Sequence, residues 1–523
     1  MSVTEFGRVL RALRLDRSMT MERLAEASGV SARGISDMEL GNTRRPRQGT
    51  VAALAQALRL TDAERAELLA ATTAEVWFER AARLSTDNRV RAERLLTAGE
   101  LAYALDRYQE VQRCIGELLT FPLEAPERLR LLWLQSGFDD GEPTDADGIR
   151  QLVDTARRVH ADGATDLAAM LAMSAARRFF FSAYSRDLAT EVLSASEELG
   201  LNALDPRLTN IQALTSAFTL STQVLQTLRG WAQREVSDPE IASLLAFSAF
   251  VLADFDLTES FCAQASMGHR QQGKRTVLAQ VLTLRAWAGI YQGRWEEADL
   301  AAAESCELAV DTQQPGWIRW VRLCQAILAA LRGAADRAEQ LLIEVEDVGM
   351  SSGNGSLRNG TLIARSLTEL AGGRTDAAYE CFRQIMDDSL DGHVAQRCWQ
   401  VDLFADVAVA AGRVEEARAV LAVLEAADGF FSSPGVTRSH AYARAVLAED
   451  EAVEQAISEA RECAGMSSEW YSARLDLALG TWLRRRQRTV EADILLRDAA
   501  QRLRLLGAAP WAERAERALR GHA

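Results

Sequence analysis

The chain is predicted to be all-α: a five-helix domain over residues 1–73, a linker helix over 74–88, and an α-solenoid of about ten helical hairpins over 89–523. Three observations predict this. Apolar residues recur at the helical period in almost every segment, and strand-like alternation between Asn-Gly or Asp-Gly turns is not apparent. Only 9 of 523 residues are proline, and they fall at helix borders, where a ring without an N–H does least harm. A six-residue pattern also returns about every 40 residues, the signature of a stacked repeat.

The N-terminal elements follow one by one. Phe6, Val9, Leu10 and Leu13 form the apolar stripe of a first helix. Thr20 is placed to cap a second, Met21 to Ser28, and Ser31 a third, Ala32 to about Leu40. Gly29 takes the turn between them, and Ala25 is small where the two helices cross. Leu24, Val30, Ile35 and Met38 supply the faces that pack on the rest of the domain. A fourth helix runs from Thr50 to Arg59. A fifth runs from Thr61 to Ala71, opened by the capping box Thr61-x-x-Glu64.

The repeat is explicit in Gly293-Arg-Trp-Glu-Glu-Ala298, Gly333-Ala-Ala-Asp-Arg-Ala338, Gly373-Arg-Thr-Asp-Ala-Ala378 and Gly412-Arg-Val-Glu-Glu-Ala417. Glu451-Ala-Val-Glu-Gln-Ala456 and Gln487-Arg-Thr-Val-Glu-Ala492 continue the series, with weaker copies upstream at Tyr184 and Phe255. In each, Gly ends one helix in a left-handed cap, and the Ala five residues on lets the next helix approach closely. A single hairpin cannot bury its own apolar face, but a stack can. Pro510-Trp511 to Arg520 closes the stack as a capping helix.

Composition bounds the function. With 59 basic and 74 acidic residues the net charge is −15, unlike a protein that coats nucleic acid along its length. Residues 1–49, however, hold nine Arg against six acids, or +3, which leaves −18 for residues 50–523. One lysine, Lys274, stands against 58 arginines, which fits codon bias. The start carries no secretory pattern, and no apolar run reaches the roughly 18 residues of a membrane span. The expectation is a cytoplasmic protein without membrane contact. The seven cysteines lack a C-x-x-C pair and read as reduced core thiols. No metal or cofactor is expected, and the absence of catalytic constellations argues against an enzyme. Gly268 to Thr276 nearly spells a phosphate-binding loop, but Arg275 stands where Ser or Thr is required and no strand precedes it. Arg484, Arg485, Arg486 and Arg488 cluster at a helix end; they could touch DNA, but complementing the helix C-terminus is their ordinary role.

From Phe6 to Leu60 the N-terminal pattern resembles the DNA-binding domains of lambdoid phage repressors and the xenobiotic-response-element family, including the stretch Glu39 to Arg47. That resemblance implies a third helix in the major groove, with Ala32, Arg33, Ser36 and Asp37 toward base edges. Arg33 would grip guanine, and Ala32 would offer a methyl contact. Asp37 would accept from cytosine or orient Arg33. Thr20 and Ser31 belong to the same interface as helix caps, with Thr20 meeting a phosphate. Met21 departs from the usual Gln there. Arg44, Arg45 and Arg47 follow the recognition helix, Arg47 toward the minor groove. The family binds operators as dimers, so a homodimer on an inverted repeat of double-stranded DNA is expected.

The repeats resemble tetratricopeptide-like repeats, longer than the standard motif of about 34 residues. They look most like the superhelical sensor region of maltose-activator-type regulators. The combination of modules also resembles peptide-sensing quorum regulators. Counted back from each turn Gly, that geometry would point Gln280, Thr283, Trp287, Tyr291, Trp320, Trp399, Asp402 and Asp406 at a concave groove. A peptide, small molecule or protein bound there would gate DNA binding. Trp on a repeat helix more often serves as core, and a solvated face is the ordinary role of Asp402 and Asp406. The resulting expectation is a ligand-gated transcriptional regulator; the competing class is an interaction scaffold with incidental DNA contact.

Overall fold

The computed structural model describes residues 5–17, 19–39, 48–61, 81–104, 106–137, 145–182, 186–216, 220–349, 355–387, 394–426, 433–463 and 468–521. Among them the regular elements are helices and none is a strand. The chain divides into two compact units, Met1–Gln135 and Ser136–Ala523.

The first unit opens with α1 (Glu5–Asp16), α2 (Met21–Ser28), α3 (Ala32–Glu39) and α4 (Gln48–Ala57). Leu10, Leu13, Leu24, Ile35, Met38, Val51, Leu54 and Leu58 meet in one buried cluster, with Val30 and Ala25 packed at its edge. The fifth helix expected at Thr61 to Ala71, beyond Thr61 itself, residues 74–80 of the linker, and Arg44, Arg45 and Arg47 lie outside the described residues. Farther along the unit, Asn88–Ala104 packs on Tyr108–Leu118, and Ala125–Gly137 follows.

The second unit begins with Ala146–Ala161. Nine consecutive helix pairs follow, from Thr165–Ser182 with Arg186–Glu198 to Glu469–Arg485 with Thr489–Leu505. Ala509–Leu519 then closes the series as the expected capping helix. The turn chemistry is uniform. Gly293, Gly333, Gly373 and Gly412 have φ of 75°, 80°, 75° and 70°. Each N–H bonds three residues back, and the next N–H reaches five back, as in Arg294 to the Gly289 carbonyl at 2.8 Å. This double bond pattern satisfies carbonyls that a helix end would otherwise leave unpaired. The following Ala298, Ala338, Ala378 and Ala417 are buried.

The weaker copy at Tyr184 begins outside the described residues, and three other copies take a different form. The upstream copy begins at Ala253, not Phe255: Ala253 adopts φ 54°, 40 residues before Gly293, so Phe255 takes the place of Trp295. At Glu451 no left-handed residue appears, because Pro434–Val446 ends early and a longer connection leads to Val453. Gln487 keeps the left-handed turn without being glycine, at φ 61°. A β-carbon in that region costs roughly 1–2 kcal/mol. Gln487→Gly is therefore expected to stabilise the chain by about 1 kcal/mol, read as a higher urea midpoint with an unchanged slope.

Contacts between distant hairpins set the pitch of this unit. Ser468 Oγ donates to the Gln292 carbonyl at 2.7 Å, 176 residues away, and the Gly435 N–H donates to the Ala253 carbonyl at 3.0 Å. A side chain at Gly435 would collide with that same carbonyl, and one at Gly293 with Trp470. These glycines serve the approach of one superhelical turn to the next.

Candidate functional site

The recognition element is built from local caps and one buried ion pair. Thr20 Oγ1 accepts from the Arg23 N–H at 3.2 Å and opens α2. Gly29, at φ 70°, ends it. Ser31 Oγ accepts from the Gly34 N–H at 3.1 Å and opens α3. Ile35 and Met38 turn inward, which leaves Ala32, Arg33, Ser36 and Asp37 together on the outer face. Arg33 is exposed and has no partner among the described residues.

Sequence reasoning missed what holds α3 in place. Arg14 of α1 grips Glu39 at the end of α3 through Nε at 2.6 Å and Nη2 at 2.8 Å, while Nη1 donates to the Met19 carbonyl at 2.8 Å. Both residues are buried, and the bonds to Glu39 hold the Arg14 guanidinium above its ordinary range against the cost of burial. The signal was two charged residues on otherwise apolar helix faces.

In the repeat unit the expected groove residues divide into three sets. Trp287, Tyr291, Trp320 and Trp399 converge, joined by Phe180, Phe181, Phe247, Phe250 and Phe255. Tyr291 stacks on Phe255 at 4.6 Å and accepts from Gln400. With Thr283, these rings leave a cavity of about 40 Å³, room for a water or two. Gln280 stands apart, donating to Gln314 at 3.0 Å.

Asp402 and Asp406 form the third set, and the solvated face expected for them is corrected: they are 2% and 5% exposed. The reason is Arg474, two hairpins further on, which enters between them. Its Nη1 bonds Asp402 at 2.8 Å and its Nε bonds Asp406 at 2.9 Å. Ser439 donates to Asp402 at 3.0 Å, and Tyr442 and Trp511 donate to Asp406 at 2.7 and 2.8 Å. The guanidinium lies over Tyr442 and Trp470, 4.1 and 4.6 Å from their ring centres. Burial opposes the charge on Asp406, but Arg474, Arg514 and these donors outweigh it and hold the carboxyl below its usual range. The carboxylate oxygens are thus occupied by donors of the protein itself.

The near-phosphate loop is an ordinary repeat turn. Gly273 has φ 71°, Lys274 pairs with Glu240, and Arg275 with Asp311. The cysteines form no disulfide; Cys262, Cys324 and Cys398 are buried, and burial pushes the Cys398 thiol up to about 12. Among the described residues, no helix is long and apolar enough to cross a membrane.

Together the capped α2–Gly29–α3 unit and its outward polar face define a helix-turn-helix domain. Residues 5–68 match the family model described as a helix-turn-helix domain. The chain is 49% identical over 55 residues to the HTH-type transcriptional repressor RghR of Bacillus subtilis (strain 168), 10% of this chain and 41% of that protein. The match therefore spans less than half of that relative. Among solved structures, the chain is similar at 13% identity to Bacillus thuringiensis PlcR in complex with the peptide PapR7 and DNA, over 61% of this chain and 98% of that one, with a TM-score of 0.24. A circular tandem repeat protein is also 13% identical, over 99% and 98% of the two chains, with a TM-score of 0.13.

Proposed function

We propose that the protein is a sequence-specific DNA-binding transcriptional regulator whose α3 reads the major groove, acting as a homodimer and gated by an effector held in its repeats. The observation that carries this is Arg33: an exposed guanidinium without a partner among the described residues, on the outward face of a helix pinned from behind by Arg14 and Glu39. Its donors are free for the O6 and N7 of a guanine. Ala32, Ser36 and Asp37 share that face, and the caps Thr20 and Ser31 flank it, where helix N-termini favour phosphate. Arg44, Arg45 and Arg47 add backbone and minor-groove contacts in this reading. The activity in the Bacillus relative's name, transcriptional repression, points the same way for the matched 55 residues.

One helix-turn-helix covers too little DNA for tight specific binding, so two copies on half-sites about one turn apart are required. The test is a gel shift on a duplex selected from a random pool with the full-length protein. Arg33→Ala is expected to weaken binding by about 10- to 100-fold and to relax the base preference at one position. Equal affinity and equal base preference for Arg33→Ala and the parent would overturn the assignment of α3.

A further inference from the structure

We infer that the last hairpins hold a second, cationic cavity that binds a small, multiply charged organic anion. It measures about 430 Å³, within the range of small-molecule sites and far larger than the aromatic cavity. Two helices bring guanidiniums to it: Arg474 and Arg485 from Glu469–Arg485, and Arg514 and Arg517 from the capping helix Ala509–Leu519.

Charge counting at this wall is specific. Asp402 and Asp406 offset two of the four guanidiniums, so two positive charges remain. The other arginines of the 484–488 run are engaged elsewhere: Arg484 on the Ala518 and Leu519 carbonyls and Asp493, Arg486 on Asp450, and Arg488 on Glu454 and Glu491. Among the described residues, Arg485, Arg514 and Arg517 have no hydrogen-bond partner and no carboxylate within 4.0 Å, and Arg514 acts on Asp406 only at longer range. The Arg514 Nη1 is enclosed and unpaired. A buried donor without an acceptor costs roughly 1–3 kcal/mol, more when charged, which an anionic oxygen would recover. This excess sits within a stretch of chain whose net charge is −18. Leu370, Val409 and Leu477 also line the cavity, apolar groups suited to a carbon skeleton.

The ligand class is therefore a phosphate ester or a polycarboxylate of metabolite size, held by its anionic end on Arg485, Arg514 and Arg517. This binding does not rest on the regulator reading, because it is measured on the free protein. The probes are inorganic pyrophosphate and citrate, titrated by calorimetry into full-length protein at constant ionic strength. Saturable binding of either is expected, and which one binds distinguishes the two sources. The double variant Arg485→Gln/Arg517→Gln changes only exposed side chains and is expected to weaken that binding by about 10- to 100-fold, with unchanged circular dichroism. The exposed Arg383→Gln, away from the cavity, is expected to leave it unchanged. Absence of saturable binding for both probes, or binding that the double variant does not alter, would overturn the proposal.

Discussion

Replacing Arg474 with methionine is expected to destabilise the repeat unit by about 3–5 kcal/mol, the cost of leaving buried carboxylates without their counter-charge. Arg474 is fully enclosed and answers Asp402 and Asp406 at once, so its loss strands two charges. The stacking on Tyr442 and Trp470 is lost as well. The triple variant Arg474→Met/Asp402→Asn/Asp406→Asn is expected to recover part of the loss, since no unpaired charge then remains in the interior. The effect has a signed pH dependence. In the parent, the depressed Asp406 carboxyl contributes stability that is present above the unfolded carboxyl range of about 3.9 and lost as pH falls below it. In Arg474→Met the Asp406 carboxyl is buried without its main counter-charge and protonates more readily. The gap between parent and variant therefore narrows as pH falls from 7 toward about 4. Urea midpoints at several pH values measure this, and a gap constant with pH would contradict the pairing.

Glu39→Ala is expected to cost the N-terminal domain about 3–5 kcal/mol, because Arg14 is left buried with only the Met19 carbonyl. The pair ties the start of the domain to the end of α3, so DNA affinity falls with stability even though Glu39 faces away from the outer surface. The apolar double variant Arg14→Met/Glu39→Leu is expected to return most of the stability. Protease sensitivity of the N-terminal region in the full-length chain, followed with the gel shift, separates this from Arg33→Ala, which leaves the fold intact. A Glu39→Ala protein as resistant to protease as the parent would contradict the role of the pair.

Much of the recognition element was legible because it is local. Thr20, Gly29 and Ser31 act on backbone groups three or four residues away, and Leu24, Ile35 and Met38 follow the helical period. The turns at Gly293, Gly333, Gly373 and Gly412 were legible for the same reason: a left-handed cap places its demand on one residue. The Ala253 turn was hidden because a residue with a β-carbon holds that backbone, so no glycine marked it. Arg14 and Glu39 are 25 residues apart, and Arg474 is 72 from Asp402; no periodicity joins them.

The sequence by itself determined the helices, their caps, the 40-residue period and the outward face of α3, all consequences of interactions within one or two helical turns. Only the tertiary structure decided what becomes of the repeat interior. The pitch that brings Ser468 to Gln292 across 176 residues is the sum of small rotations between successive hairpins, which no single repeat displays. That pitch closes the aromatic wall around a space of 40 Å³, seals Asp402 and Asp406 beneath Arg474, and opens the larger cavity beside the capping helix, lined by arginines that the overall negative charge had concealed.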